Sequence, residues 1–368
     1  MRTPQSHADR IRNRIAAGDA DRIADEALRT LTSSRGCWHA GWGRVLDQLV
    51  ALPAPSRHAL LHALAARHPE TEADTDVRCG ALVLRTCLSQ DLNADALNPD
   101  ALNADAPADD DLLAAQRRAA LHDLGRRRAF SPEARLELLA EAELAAGHPL
   151  PPPTVATFRR AALETTVPGD AEPLLRLTKT LTTPPLNVGE EWAEQALRDT
   201  TTPDWQSLLT HATKATKPHP TATWENRART LLAPLAPAQV RTTVLPWLTL
   251  VGRPRTFPLR HHPHEPNINH TYDPHNATAL RGLTWFLALL PPHPDTPPAL
   301  AALAETSLTA VPAHGPRSPK IANAAVLALT RIADEPAHAE LARLAAVVTY
   351  RSTAKLIDTA LRARAAGT

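Results

Sequence analysis

The chain has 368 residues, of which 43% are hydrophobic but only 4% aromatic, and its 40 basic and 39 acidic side chains give a formal net charge of +1. This balance lacks the general positive charge of nucleic-acid-binding and membrane-surface proteins, and the length indicates either two domains or an open repeat array. Three cysteines without a C-x-x-C pair favour a reducing cytoplasm, and the absence of an apolar run of roughly 20 residues argues against membrane insertion.

The first 88 residues are predicted to form an N-terminal helical lobe. Apolar residues recur at helical spacing on either side of Gly18, which predicts two short helices within residues 7–31. Further helices are predicted over 43–52, 56–67 and 76–88. Cys79 and Cys87 fall on the last of these, about two turns apart, and we interpret both as small buried hydrophobic residues rather than as a bridge.

Residues 89–111 interrupt the helical pattern. They contain three tandem pentapeptides of the form Leu-Asn-Ala/Pro-Asp-Ala followed by a run of aspartates. A calcium loop would need a glycine-assisted turn and a terminal bidentate carboxylate, and the segment has neither. We therefore predict an acidic, low-complexity linker or loop between the N-terminal lobe and a helical array over 112–368.

The array is predicted from a regular alternation of apolar stretches and short proline-rich turns. Its helices before residue 251 are expected over 112–127, 131–146 (capped by Ser131), 154–164, 171–181, 189–197, 203–215, 221–232 and 237–250. Four tryptophans fall on these helices: Trp192, Trp205, Trp224 and Trp247. We interpret them as core residues that fill gaps in alanine-rich packing, and the alternative is a groove that stacks nucleobases.

The helical pattern fails over residues 251–272. A loop of this length inside a compact array is usually functional or disordered. We predict the binding residues here: Arg253, Arg255, Arg260, His261, His262, His264 and His270. Two functional interpretations stay open beside a solvated loop: an anion-binding patch of the arginines with the histidines, and a zinc site, for which His261, His262, His264 and His270 are weak candidates because no H-E-x-x-H or Cys/His pattern fixes the geometry.

The stretch from Asp273 to Ile332 is interpreted as two units of a helical repeat. Asp273 is placed to cap a helix that begins at Pro274, and Ser318-Pro319 repeats this arrangement 45 residues later, with Thr296-Pro297 between them. This is the period of HEAT- and armadillo-like repeats. We predict an all-α fold, a right-handed α-α superhelix (a HEAT-like solenoid) of roughly 14–16 helices, which ends with helices over 337–348 and 353–363.

Within these units Leu283 and Leu329 lie on apolar stripes and are predicted to be inner-layer core residues. The second helix is apolar on nearly every side apart from Asn323 and Thr330, so we expect neighbouring helices to cover it. Gly282 interrupts a helix at a cost of about 1 kcal/mol relative to alanine, which predicts a close approach of another backbone.

The C-terminal third resembles an uncharacterised bacterial family, called MolR-like, whose members often carry a WGR domain. The residues that carry this resemblance are Asp273, Asn276, Leu280–Leu283 and Trp285, then Gly315–Lys320 with Asn323–Ala325, then Tyr350–Ser352, Lys355, Ile357 and Asp358. The resemblance implies a helical-repeat fold and no established reaction. Trp42-Gly43-Arg44 has the WGR signature, but it lies between helical segments and we interpret it as coincidence.

We predict a non-catalytic protein-interaction or scaffold protein of the cytoplasm, with a protein or peptide partner, no membrane and no cofactor, because helical repeat arrays present extended binding surfaces. One alternative is a HEAT-like DNA-binding protein or DNA glycosylase that uses Trp205 with Asp204 or Trp247, which the net charge disfavours. A second alternative is a metal-binding protein that uses the histidines of 251–272.

Overall fold

The computed structural model describes residues 7–33, 42–67, 75–89, 106–165, 171–261 and 266–367. Eighteen α-helices lie in these ranges, with one two-stranded antiparallel ribbon and two short 3₁₀ turns. The all-α prediction is confirmed, and the helices outnumber the roughly 14–16 predicted from the repeat period. The superhelical arrangement stays a prediction. No helix in the described ranges combines the length and apolar character that crossing a membrane requires.

The chain divides into two compact units, the first extending to Thr180 apart from residues 126–128, and the second comprising those three residues and everything from Leu181 onward. This division differs from the predicted boundary at 89–111. The helices on either side of residues 90–105 pack against each other inside the first unit, so no domain boundary falls there. The pentapeptides themselves lie outside the described residues.

The first unit contains nine helices in the described ranges. They are α1 His7–Ala17, α2 Ala20–Ser33, α3 Trp42–Val50, α4 Ala54–Ala65, α5 Thr75–Ser89, α6 Ala106–Leu124, α7 Glu137–Ala145, α8 Pro152–Glu164 and α9 Glu172–Thr180. The predicted break at Gly18 is present, since this residue has a left-handed φ of 69° between α1 and α2. Cys87 is buried as predicted, whereas Cys79 is only partly buried.

The predicted capped helix over 131–146 is wrong in its first turn. Pro132–Ala134 form a 3₁₀ turn, Ser131 makes no side-chain capping bond, and Arg135 takes a left-handed φ of 55° before α7 begins. The Arg135 side chain pairs with Glu137 at 2.8 Å and approaches Asp47 at 3.6 Å. The left-handed backbone of Arg135 is one that a continuous helix does not allow, so the helix begins after it.

The second unit contains the other nine helices of the described chain. They are α10 Glu191–Asp199, α11 Pro203–Ala212, α12 Ala222–Leu232, α13 Pro237–Leu250, α14 Pro274–Leu289, α15 Thr296–Leu308, α16 Pro319–Ile332, α17 Glu335–Val347 and α18 Arg351–Gly367. The ribbon, β1 Ala310–Val311 and β2 Gly315–Pro316, connects α15 to α16 with Val311 opposite Gly315. One continuous hydrophobic core runs through this unit.

Proline marks the predicted helix starts correctly, because its fixed φ suits the first helical position and its missing N–H has no partner there. Helices α11, α13, α14 and α16 all begin on a proline. Asp273 caps α14 as predicted, accepting from the backbone N–H of His275 at 3.0 Å and of Asn276 at 3.3 Å. Ser318 precedes α16 as predicted, but its side chain makes no capping bond.

The inner-layer predictions for the repeat units are confirmed. Leu283 and Leu329 are fully buried, and α16 packs against α14, α15, α17 and α18, so its apolar sides are covered. The Thr353 hydroxyl of α18 meets the predicted polar seam by donating to the side-chain oxygen of Asn323 at 2.7 Å. Gly282 faces α11, where a Cβ built on it would stand 2.5 Å from both the Cα and the carbonyl oxygen of Ala212.

Candidate functional site

In the second unit, residues 251–261 and 266–272 are held in place mainly by side-chain bonds, and their regular structure is the 3₁₀ turn Ile268–His270. The Asn269 carboxamide accepts from the N–H of Leu259 at 2.7 Å and donates to its carbonyl at 2.9 Å, as a neighbouring strand would. The N–H of Arg260 donates to the carbonyl of Arg126 at 2.7 Å. The described part of this segment is therefore an ordered surface and not only a connection between helices.

A buried carboxylate, Glu190, anchors the segment to the start of α14. Its Oε1 accepts from the backbone N–H of Asp273 at 2.8 Å, and its Oε2 accepts from Asn276 Nδ2 at 2.8 Å and Trp192 Nε1 at 3.2 Å. Burial raises the pKa of Glu190, Arg255 lowers it, and the neighbouring carboxylate of Asp273 raises it further. The three donors on its two oxygens tie Glu190 and its neighbour Trp192 to the start of α14.

The segment before α10 is tied to the same helix start by two asparagines. The Asn276 carboxamide accepts from the N–H of Asn187 at 2.8 Å and donates to its carbonyl at 2.9 Å. The Asn187 side chain donates to Asp273 Oδ1 at 2.9 Å. Asp273 therefore has a second role beside the cap, which sequence reasoning missed because Asn187 lies far from it along the chain.

The predicted arginines occupy different environments. Arg253 is about half exposed and pairs with Glu191 at 2.9 Å. The side chain of Arg255 is only 4% exposed, lies 3.8 Å from Glu190 and donates from Nε to the carbonyl of Phe257 at 3.4 Å. Arg255 therefore does not belong to an exposed anion-binding patch, because its guanidinium is buried beside the carboxyl group of Glu190.

The predicted histidines are only partly covered by the structure. His261 and His270 are exposed, as is Arg260, whereas His262 and His264 lie outside the described residues. In the described ranges no group of three or more His, Cys, Asp or Glu side chains is placed to hold a metal ion. The zinc hypothesis depends on residues outside those ranges and stays a prediction.

A cleft of about 250 Å³ opens beside this segment, and we call it the arginine cleft. Its lining residues are Glu190, Glu191, Trp192, Leu250, Gly252, Arg253, Pro254, Arg255, Asn269, His270, Thr271, Tyr272 and Arg317. Arg317 comes from the turn between β2 and α16. No single-segment pattern reveals it, because its place in the cleft depends on how the ribbon packs against residues 251–272.

Arg317 differs from the other arginines of the cleft in having no carboxylate within 4 Å among the described residues. Its Nη1 donates to the carbonyl of Gly252 at 2.7 Å. It lines the cleft together with Tyr272, whose hydroxyl lies 3.3 Å from that of Ser307. Burial raises the pKa of Tyr272, and the bonds and charge of its neighbours, Arg317 included, partly oppose this. The cleft thus contains a cation held by neutral groups.

The tryptophans are core residues, as predicted. Trp192, Trp205, Trp224 and Trp247 are at most 7% exposed. Trp205 and Trp247 pack edge to face at 6.0 Å, and the Trp247 indole donates to Asp199 at 2.9 Å. Asp204 is exposed on the first turn of α11. The residues considered for a glycosylase therefore do not form an open pocket that could take a flipped base.

A second cleft of about 220 Å³ lies elsewhere in this unit and is mainly apolar. Trp224 and Trp285 form part of its wall and meet edge to face at 5.1 Å. At its rim Arg331 donates two hydrogen bonds to the carboxylate of Glu225. The two rim charges satisfy each other, so this cleft offers no unpaired charge.

Comparison of the chain with protein-family models, curated proteins and solved structures found no match. The resemblance to the MolR-like family therefore stays a prediction, and the functional argument depends on the geometry of the chain itself.

Proposed function

We propose that this chain is a non-catalytic interaction protein that receives a segment of a partner protein in the arginine cleft. The observation that carries the proposal is the order of residues 251–261 and 266–272: these residues have little helix or strand and are fixed by Asn269, Arg255 and the Glu190 anchor. Fixing so much irregular chain costs conformational entropy of about 1–2 kcal/mol per residue. The ordered segment forms one wall of an open cleft, and a preorganised surface loses less entropy when it binds a partner. Binding is therefore a function that explains why this segment is ordered.

The chemistry of the cleft favours binding over proton transfer. Glu190 is the lining carboxyl group whose pKa is raised, and a raised pKa is a common feature of general acids and bases. Both of its oxygens, however, accept hydrogen bonds from the protein's own donors. A group committed in this way stabilises the wall of the cleft and is poorly placed to exchange a proton with a ligand.

A peptide-display selection on the immobilised full chain tests this proposal. We expect the wild type to enrich a family of related peptides, and His270→Trp to abolish binding of those peptides, because His270 is exposed and lines the cleft, where an indole would occupy the space of the ligand. The matched control is His293→Trp, an exposed histidine of the same unit outside the cleft, which should bind as the wild type does. Equal binding by His270→Trp, or no enrichment by the wild type, would remove the proposal.

A further inference from the structure

The guanidinium of Arg317 has more donors than the protein uses. An arginine carries five N–H donors in a planar fork, and within the described part of the chain this one makes a single side-chain hydrogen bond, from Nη1 to the Gly252 carbonyl. Its Nε is buried and has no hydrogen-bond partner among the described residues. The remaining N–H groups of a side chain that lines the cleft are suited to the two oxygens of a carboxylate or phosphate.

The position of this guanidinium is built into the backbone. Gly252 has a φ of +84°, and a Cβ built on it would lie 2.3 Å from Arg317 Nη1 and 2.7 Å from Thr306 Cγ2. Arg317 Nη1 therefore lies directly over the glycine, in space that a Cβ would occupy. The missing side chain of Gly252 lets the guanidinium reach the carbonyl of the same residue.

The charges that line the cleft do not cancel. Three arginines and two glutamates face it; Arg253 pairs with Glu191 and Arg255 lies beside Glu190, which leaves the charge of Arg317. A partly desolvated cation is stabilised by an anion that approaches from solvent. The cleft volume of about 250 Å³ equals that of about eight water molecules, enough for such an anionic group.

From these observations we infer that the arginine cleft binds an anionic group, a carboxylate or a phosphate, and that Arg317 is the residue that receives it. The inference rests on the proposed function and adds the chemistry of the partner: its docking segment carries an acidic side chain, a C-terminal carboxylate or a phosphorylated side chain. Arg253 and His270, at the rim, lie beside the bound anion and contribute less.

Inorganic phosphate is the probe that tests the anion site without any peptide. We expect phosphate to raise the Tm of the wild type, followed by tryptophan fluorescence, more than chloride does at equal ionic strength, because a ligand of the folded state stabilises it. Phosphate also stabilises folded proteins without a site, so the background must be measured. The variant Arg317→Gln measures this background, because it lacks the proposed anion-binding side chain. The matched control is Arg227→Gln, which removes an exposed arginine of α12 outside the cleft.

The expected result is a phosphate-specific rise in the wild type and Arg227→Gln that is lost in Arg317→Gln. Arg317→Lys should retain part of the rise, since a lysine keeps the charge but lacks the fork, and it serves if Arg317→Gln does not fold. An equal rise in Arg317→Gln and Arg227→Gln, a full rise in Arg317→Lys, or none beyond chloride in the wild type would each overturn the inference.

Enriched peptides identify the source of the anion. We expect at least tenfold weaker binding when the acidic residue of such a peptide becomes its amide, or when the C-terminus is amidated or the phosphate removed, whichever group the peptide carries. A phosphate effect without peptide binding would support the anion site and remove the proposed function. If peptide binding were unchanged both in Arg317→Gln and after loss of the anionic group, the proposed function would be supported and the anion site would be removed.

Discussion

The substitution Gly282→Ala tests the close contact between α11 and α14 in the second unit. The added Cβ would lie 2.5 Å from the Cα and carbonyl oxygen of Ala212, about 1 Å inside normal carbon contact. Both obstacles are backbone, so α11 and α14 must separate. Overpacking typically costs about 1–3 kcal/mol, and a backbone obstacle places this case at the upper end.

Two further contributions determine the net loss of stability in Gly282→Ala. Alanine in place of glycine inside a helix gains about 1 kcal/mol, which offsets part of the overpacking cost. The neighbouring Arg281 donates to the carbonyls of Ala215 and Lys217, each at 2.9 Å, just beyond the end of α11. Separation of the helices weakens these bonds, and a bond from a charged donor contributes about 1.5–3 kcal/mol. We expect a net loss of about 2–4 kcal/mol.

Urea denaturation followed by circular dichroism measures this loss. The control is Gly43→Ala in α3, where a Cβ would meet nothing within 4 Å, so this variant should be as stable as the wild type or gain up to about 1 kcal/mol. If Gly282→Ala were as stable as the wild type, the close approach of α11 and α14 would not exist as described.

Three other perturbations have defined outcomes. Leu283→Ala should lower the free energy of unfolding by about 2–5 kcal/mol in the same assay, and a loss below about 1 kcal/mol would contradict its inner position. Burial raises the pKa of the Cys87 thiol from an ordinary value of 9.0 to about 12. The folded state therefore keeps a proton that the unfolded state releases, and stability should fall as pH rises from 9 to 12, by up to about 1.4 kcal/mol per pH unit; Cys87→Ala should lack this part of the fall. A double-mutant cycle on Glu225 and Arg331 should give a coupling of about 0.5–1 kcal/mol, limited by their partial exposure. Arg331 lowers the pKa of Glu225, so the coupling should be present at neutral pH and disappear as pH falls below 4.5; a coupling unchanged at low pH would contradict the ion pair.

Local patterns predicted the helices of this chain because the main signals are local. A proline fixes its own φ, so the starts of α11, α13, α14 and α16 follow from the sequence alone. The apolar period placed Leu283 in the core, and Gly282 indicated a close backbone. The local pattern failed at Ser131, where a 3₁₀ turn and the left-handed Arg135 precede α7, and the contact of Arg135 with Asp47 of another helix is not visible in that pattern.

The candidate site was only partly predictable for the same reason. The length of 251–272 identified the segment that forms its wall, but the roles of its arginines depend on charges elsewhere in the chain. Arg255 lies beside the buried Glu190, while Arg317, more than 40 positions beyond the segment, supplies a charge that no carboxylate of the described ranges pairs with. The composition of residues 251–272 and of the turn that contains Arg317 does not indicate which of these arginines is paired.

Asn276 and Asn269 each accept from the N–H and donate to the carbonyl of one distant residue, Asn187 and Leu259 respectively. The irregular parts of this unit are therefore sensitive to replacement of either side-chain amide group by a carboxylate. Aspartate has nearly the shape of asparagine, and the two exchange freely on many protein surfaces. At position 276 the exchange would replace a donor with a negative oxygen facing Glu190 Oε2 and the carbonyl of Asn187, now 2.8 and 2.9 Å away. At position 269 it would turn an oxygen against the carbonyl of Leu259. Asn276→Asp and Asn269→Asp would therefore each loosen the wall of the arginine cleft, although neither changes the size of a side chain.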